Sequence, residues 1–214
     1  MLGDYPVIGI HPGGSAIVDV LCGDVNPCGK LPETFPIIER KDLEYPGDAY
    51  KINYDEKWAI GYRYYDMHPE QIAWPFGYGM SYTDFEYSNL EIKDCKDTLE
   101  IFFDIKNTGK CEGKEIAQIY VSKNITFISR PEKELKQFYK TKVLAPGETE
   151  KVVLSINKEQ LAYYSINERK EVVEPGIYKI SVGASSRDIR LTGEHTHPND
   201  DNIFMFVSGF GILG

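Results

Sequence analysis

Leu99-Glu-Ile-Phe-Phe-Asp-Ile105, ended by Asn107-Thr-Gly109 and followed by Glu115-Ile-Ala-Gln-Ile-Tyr-Val121, is the stretch that decides the fold. Both runs are too short for a typical helix, are rich in β-branched and aromatic residues, and are bounded by turn formers. In the second run Ala117, Ile119 and Val121 share one face, and Ile116, Gln118 and Tyr120 the other. Working outward, strands are predicted at Leu135–Val143, Thr149–Ile156, Val172–Val173, Tyr178–Val182 and Asp188–Thr192. Turns at Ala145-Pro-Gly-Glu148 and Glu174-Pro-Gly176 separate them, both in the Pro-then-Gly order of a type II turn. About seven short strands in ~100 residues predict a mainly β chain whose centre is an immunoglobulin-like β-sandwich.

Upstream the texture changes. Tyr5-Pro-Val-Ile-Gly-Ile10 reads as a buried strand with nothing before it to pair with, so the chain is expected to continue from a longer protein. His11-Pro-Gly-Gly-Ser15 then enters a short helix, Ala16–Cys22, with Ser15 as N-cap and Gly23 as the C′ residue. This Gly-rich turn lacks both the Lys-Ser/Thr of a phosphate loop and a Gly-x-Gly-x-x-Gly, so it reads as a tight strand-to-helix turn. From Asp24 to about Tyr87 the chain is crowded with Pro, Gly and Tyr. Neither Asn26-Pro-Cys-Gly-Lys-Leu-Pro32 nor Trp74-Pro-Phe-Gly-Tyr-Gly-Met-Ser-Tyr82 can continue a helix or a central strand. So long and aromatic a loop is expected to be pinned on a surface, one taken to belong to a domain outside this chain. The segments are thus an α/β remnant at 1–36, a connector at 37–86, the sandwich at 87–194 and a tail at 195–214.

Composition narrows the function classes. The 214 residues are 42% hydrophobic and 27% charged, ordinary globular values, and fifteen Tyr with ten Phe suit half-buried sheets. A net charge of -9 argues against nucleic acid, whose phosphates call for clustered Lys and Arg. No run approaches the ~20 apolar residues of a membrane span, and these residues contain no signal-peptide pattern. Cys22, Cys28, Cys95 and Cys111 form neither a C-x-x-C pair nor a zinc spacing. Cys95 and Cys111 flank a ten-residue strand that would hold them roughly 30 Å apart, so free thiols are expected, which favours a reducing, cytoplasmic setting. His195-Thr-His197 supplies two ligands where a metal site needs more, and reads as a solvated terminus. No metal or cofactor site is therefore assigned.

Several fragments together resemble glycoside hydrolase family 3, the β-glucosidase-like family. Asp19-Val-Leu-Cys-Gly-Asp-Val-Asn-Pro-Cys-Gly-Lys-Leu-Pro-Glu-Thr-Phe-Pro36 is similar to the segment closing that family's α/β sandwich domain. Gly61-Tyr-Arg-Tyr-Tyr-Asp66 and Trp74–Thr83 are similar to its linker motifs. Asn107-Thr-Gly109, Glu134-Leu-Lys136 with Phe138, Pro146-Gly-Glu148 and Val182–Ile189 resemble its fibronectin type III-like domain. The set runs in the family's order from about residue 5 to 193. Departures are few: Cys22 stands where the family usually has Phe or Tyr, Cys28 where it has Ser, and Lys57-Trp58 in place of Gly-Ile.

The resemblance implies a parent of three parts, a (β/α)8-type barrel, an α/β sandwich and the fibronectin-like domain, acting on β-glucosides with retention. That chemistry needs two carboxyl groups about 5–5.5 Å apart. The family's nucleophile lies in a Ser-Asp-Trp-type motif and its acid/base, in many members, in a Ser-Glu-Gly-type motif. Neither occurs here, so no catalytic residue is assigned and substrate-binding residues stay open. Glu33, Asp55, Glu56 and Asp66 lie among aromatics, but acids fill 33 of 214 positions, so chance placement explains each. Tyr62, Arg63 and Tyr64 read as packing residues, with Arg63 paired to a carboxylate, rather than as a sugar platform. Two functional readings follow: a catalytically silent brace that packs against the barrel and α/β domains of a glucosidase, or a stand-alone sandwich binding carbohydrate or protein. A self-sufficient module would not carry the long connector, and the brace is preferred.

Overall fold

The computed structural model describes residues 12–38, 56–123, 126 and 128–198. The strand expected at Tyr5–Ile10, the candidate Asp55 and the tail from residue 199 lie outside the described residues.

Two antiparallel sheets form the sandwich. One has the order β3-β4-β7, from Phe85–Asp94, Thr98–Asn107 and Thr149–Asn157. The other has the order β11-β10-β5-β6, from Ile189–His197, Gly176–Gly183, Ile116–Ser122 and Glu134–Lys140. A small hairpin, β8 (Tyr163–Ser165) with β9 (Lys170–Val172), sits beside them. The alternation of β4 puts Leu99, Ile101, Phe103 and Ile105 into the core. Val152, Leu154 and Ile156 of β7 and Ala117, Ile119 and Val121 of β5 meet them there, with Tyr178, Ile180 and Val182 of β10. Each large side chain so buried contributes roughly 1.5–3 kcal/mol. At Ala145-Pro-Gly-Glu148 the Glu148 N–H donates to the Ala145 carbonyl at 2.9 Å, and Gly147 takes φ 81, as a type II turn requires.

Three elements differ from expectation. The strand β3 (Phe85–Asp94) was not foreseen, because a bulge between Ser88 and Glu91 interrupts its alternation, with Asn89 at φ 57. The first helix, α1, spans Pro12–Cys22 and so begins before Ser15, which lies within it rather than capping it. Pro is well suited to a first turn, where its missing N–H costs nothing. Gly23 follows at φ 85, the left-handed C′ position expected of it. Finally β11 runs on through His197, so His195 is no solvated terminus but a buried strand residue opposite Tyr178.

The connector holds more structure than its composition suggested. Phe35–Pro36 (β1) pairs with Ile72–Trp74 (β2), extended by Leu31, which exchanges backbone hydrogen bonds with Gly77 and Tyr78 at 2.9 and 2.7 Å. A six-residue helix, α2 (Tyr62–Met67), precedes them. The surface that pins the described part of the connector belongs to this chain, and for that part this corrects the expectation of an absent domain. The connector lies on the outer face of the four-stranded sheet, so β5 is buried on both faces. Tyr120, on the face away from the sandwich core, is 0% exposed. Its hydroxyl donates to Gln118 Oε1 at 2.6 Å, and Gln118 Nε2 donates to the carbonyls of Gly77 and Ala184, both at 3.0 Å.

Candidate functional site

The residues singled out in the connector converge on the junction between α2 and the sandwich. Tyr62 stacks on Phe76 with centroids 4.8 Å apart and meets Tyr120 edge-on at 6.2 Å. Its hydroxyl accepts the Leu135 N–H at 3.0 Å. Arg63 donates to Glu134 Oε1 at 2.7 Å, the carboxylate pairing expected for it. Tyr64 lies against Tyr65 and His68 at 5.2 and 4.5 Å. Trp58 Nε1 donates to Ser129 Oγ at 3.2 Å, adding a contact from just upstream of α2.

Asp66 is the most buried acid of the set. Lys133 Nζ stands 2.7 Å from its Oδ1 and Arg187 3.7 Å away. Burial pushes the Asp66 carboxyl above the usual carboxylate range, partly countered by the hydrogen bond and charge of Lys133, while nearby Glu132 adds to the upward push. Such an acid looks functional by its environment, yet its partners are two cations of the sandwich and its surroundings are packed. It serves as a latch between connector and sheet. Glu33 is exposed and Glu56 half-buried, and neither joins Asp66. Among the described residues no group of three or more His, Cys, Asp or Glu could hold a metal ion. His195 has Asp94 at 3.8 Å, and burial holds the imidazole below its ordinary value despite that carboxylate.

A second latch ties the other end of the connector. Asn107, 0% exposed, accepts from Thr83 Oγ1 at 2.7 Å and from the Gly109 N–H at 3.0 Å. Its amide donates to the carbonyls of Cys111 and Leu144, both at 2.8 Å. All four capacities of this amide are used, which explains why an Asn stands at that turn. Asn26 joins in by donating to the Glu112 carbonyl at 2.9 Å and accepting the Tyr82 N–H at 2.9 Å. Lys30 and Glu115 form a largely buried pair at 2.7 Å.

What the sequence did not reveal is the surface left open once these latches close. On α1, Ile17, Val18 and Leu21 are exposed, as are Val25, Ile37 and Ile38 beyond it. A separate cavity of about 420 Å³ is lined by Phe35, Trp74, Tyr78 and Met80, among others. Phe35 and Trp74 are cross-strand neighbours on β1 and β2. The pairing of the two Pro-interrupted motifs that carry them was the missing signal.

An end-of-domain helix, an aromatic connector and a sandwich, latched into one body, is the build of the carboxy-terminal domains of a glycoside hydrolase. Residues 9–82 match the glycosyl hydrolase family 3 C-terminal domain and residues 115–186 the fibronectin type III-like domain. The chain is 44% identical over 185 residues to thermostable β-glucosidase B of Acetivibrio thermocellus, covering 83% of this chain and 24% of that protein. To a putative β-glucosidase of Schizosaccharomyces pombe it is 42% identical over 190 residues, 86% of this chain and 23% of that one. Among solved structures, β-glucosidase 3B from Thermotoga neapolitana, in complex with glucose, superposes with a TM-score of 0.80 at 44% identity. That match covers 87% of this chain and 27% of the other. β-Glucosidase from Kluyveromyces marxianus gives 0.82 at 39%, covering 87% and 23%. The chain belongs to glycoside hydrolase family 3, and corresponds to the C-terminal region of its β-glucosidase-like members. It spans about a quarter of the length of the relatives it matches.

Proposed function

We propose that this chain is the C-terminal brace of a β-glucoside-hydrolysing enzyme of family 3, catalytically silent by itself, and that it packs against the barrel and α/β domains bearing the catalytic carboxylates. The observation that carries this reading is the exposed apolar face of α1. A solvated helix end does not present Ile17, Val18 and Leu21 together unless something covers them. Meanwhile the connector is fastened to the sandwich by Asp66–Lys133, Arg63–Glu134 and the Tyr62–Phe76–Tyr120 stack. The helix carrying the open face is itself tied to the connector by the Tyr82 hydroxyl, which donates to the Val20 carbonyl at 2.7 Å. Retaining hydrolysis needs a nucleophile and an acid/base facing one substrate. The described candidate acids serve other ends: Asp66 is a latch, and Glu33 and Glu56 stand apart.

The test is hydrolysis of 4-nitrophenyl β-D-glucoside by the purified chain. The expected result is no release of nitrophenol above the buffer rate. Turnover that survives repurification and falls on substitution of a carboxylate of this chain would overturn the silent-brace reading.

A further inference from the structure

The aromatic cavity does not end at Met80. It adjoins a second hollow of about 270 Å³, and the two share Lys30, Tyr78, Gly79 and Met80 as common walls. Their characters differ. The first is a wall of rings: Phe35 and Trp74 face each other across the ribbon, and Trp74 lies 4.8 Å from Tyr78. The second is polar, with Asp84, Glu115, Asp188 and Arg190 at its margin. There Arg190 donates twice to Asp188, at 2.6 and 2.7 Å, and both side chains remain partly open to water. The trough formed by both falls within the roughly 300–1,000 Å³ of small-molecule sites.

We propose that this trough binds a short neutral oligosaccharide built of pyranose rings, laid with its C–H face on Trp74 and Tyr78 and its hydroxyl rim toward Asp188 and Arg190. A pyranose is itself two-sided, with apolar C–H bonds on its faces and hydroxyls around its edge. Flat aromatic rings take the first, and ionised side chains take the second through charge-assisted hydrogen bonds. The charges decide the class further. Lys30 is neutralised by Glu115, and Arg190 by Asp188. The trough offers an anion nothing, whereas hydroxyl groups find acceptors and donors together. The same polar margin argues against an apolar protein surface as the occupant. The cores of protein interfaces are depleted in charge, and covering the Asp188–Arg190 pair with apolar groups would strip its water without replacement. The α1 face has no such pair among its exposed residues, and it remains the docking surface of the brace reading, on which this proposal does not depend.

The experiment uses the whole 214-residue chain, which has two tryptophans. Cellotriose is titrated by calorimetry, and in a Trp58→Phe background by the emission of the remaining Trp74. Saturable heat and a saturable emission change are expected. Trp74→Ala should weaken binding about tenfold or more, in keeping with the loss of an aromatic contact. Because Trp74→Ala can loosen the β1–β2 ribbon, Asp188→Ala serves as the second variant. It should weaken binding comparably with an unchanged melting temperature. Absence of saturation up to the solubility limit of the sugar overturns the proposal. So does uptake of an apolar dye by the trough without any response to cellotriose, which would assign it to a protein partner. Neither failure bears on the nitrophenyl glucoside assay, so the two readings fall separately.

Discussion

Replacing Lys133 by Met should expose what the connector latch contributes. The stem of Lys133 keeps its packing in Met, while the charge 2.7 Å from Asp66 Oδ1 is removed. Asp66 is then left with Arg187 at 3.7 Å as its remaining cation among the described residues. Breaking a buried pair by removing one partner costs about 3–5 kcal/mol, and the residual Arg187 attraction places this case near 3 kcal/mol at pH 7. For a chain of this size that is a melting-temperature drop of roughly 6–12 °C. The pH dependence has a definite sign. The Asp66 carboxyl is already above its ordinary range in the fold, so ionising it disfavours folding, and between the unfolded and folded values the native state holds more protons. Stability from this group therefore falls as pH rises through the folded value. Without Lys133 that value moves higher still, so the loss should grow with pH as the carboxyl ionises and be smaller at pH 5 than at pH 7. Urea unfolding of parent and variant at both pH values measures it. The double variant Asp66→Asn/Lys133→Met should recover most of the loss. A single variant within about 1 kcal/mol of the parent, with no pH dependence, would refute the latch, since that is the size of an exposed pair.

Other outcomes follow from the same contacts. Gly77→Ala sets a Cβ against the side-chain amide of Gln118 at a residue with φ 77, so that amide must leave its bonds or the connector must lift. A loss of about 2–3 kcal/mol in denaturant unfolding is expected. Asn107→Ala takes the acceptor from the buried Thr83 hydroxyl and a donor from the carbonyls of Cys111 and Leu144, the latter keeping the Gly113 N–H, and should cost about 2 kcal/mol by the same measurement. His195 is held below its ordinary value of 6.5 by burial, against the pull of Asp94 and with Lys158 and His197 opposing the proton. The unfolded chain thus takes up a proton first, and stability falls as pH drops below about 6.5. His195→Asn should flatten that limb of a melting-temperature profile.

The sandwich was legible because its core strands obey simple alternation. β4 and β7 show their inner faces as Leu99, Ile101, Phe103 and Ile105 and as Val152, Leu154 and Ile156. β5 shows why the rest was hidden. Its outer face reads Gln118, Tyr120, a pattern that suits solvent, and only the connector folded over it makes both residues buried. No local pattern reports that kind of burial, since the covering residues lie some fifty positions away. The bulge at Asn89 disguised β3 for a different reason: the backbone adds residues that break the two-residue period. His195 was misread because the end of β11 is set by its partner β10, which begins opposite it at Gly176. Of the candidate site, the role of Arg63 was visible in its chemistry, whereas the aromatic trough exists only after β1 and β2 pair.

The central claim is that this chain braces catalytic domains it does not contain. The most direct test adds it to a family 3 β-glucosidase cut before its corresponding C-terminal quarter, such as the Thermotoga neapolitana enzyme, and measures nitrophenyl glucoside turnover. The account predicts saturable recovery of activity and thermal stability, lost when Ile17 and Leu21 are changed to Asp. Recovery that is indifferent to those substitutions, or no binding of the chain to the truncated enzyme at all, would contradict it.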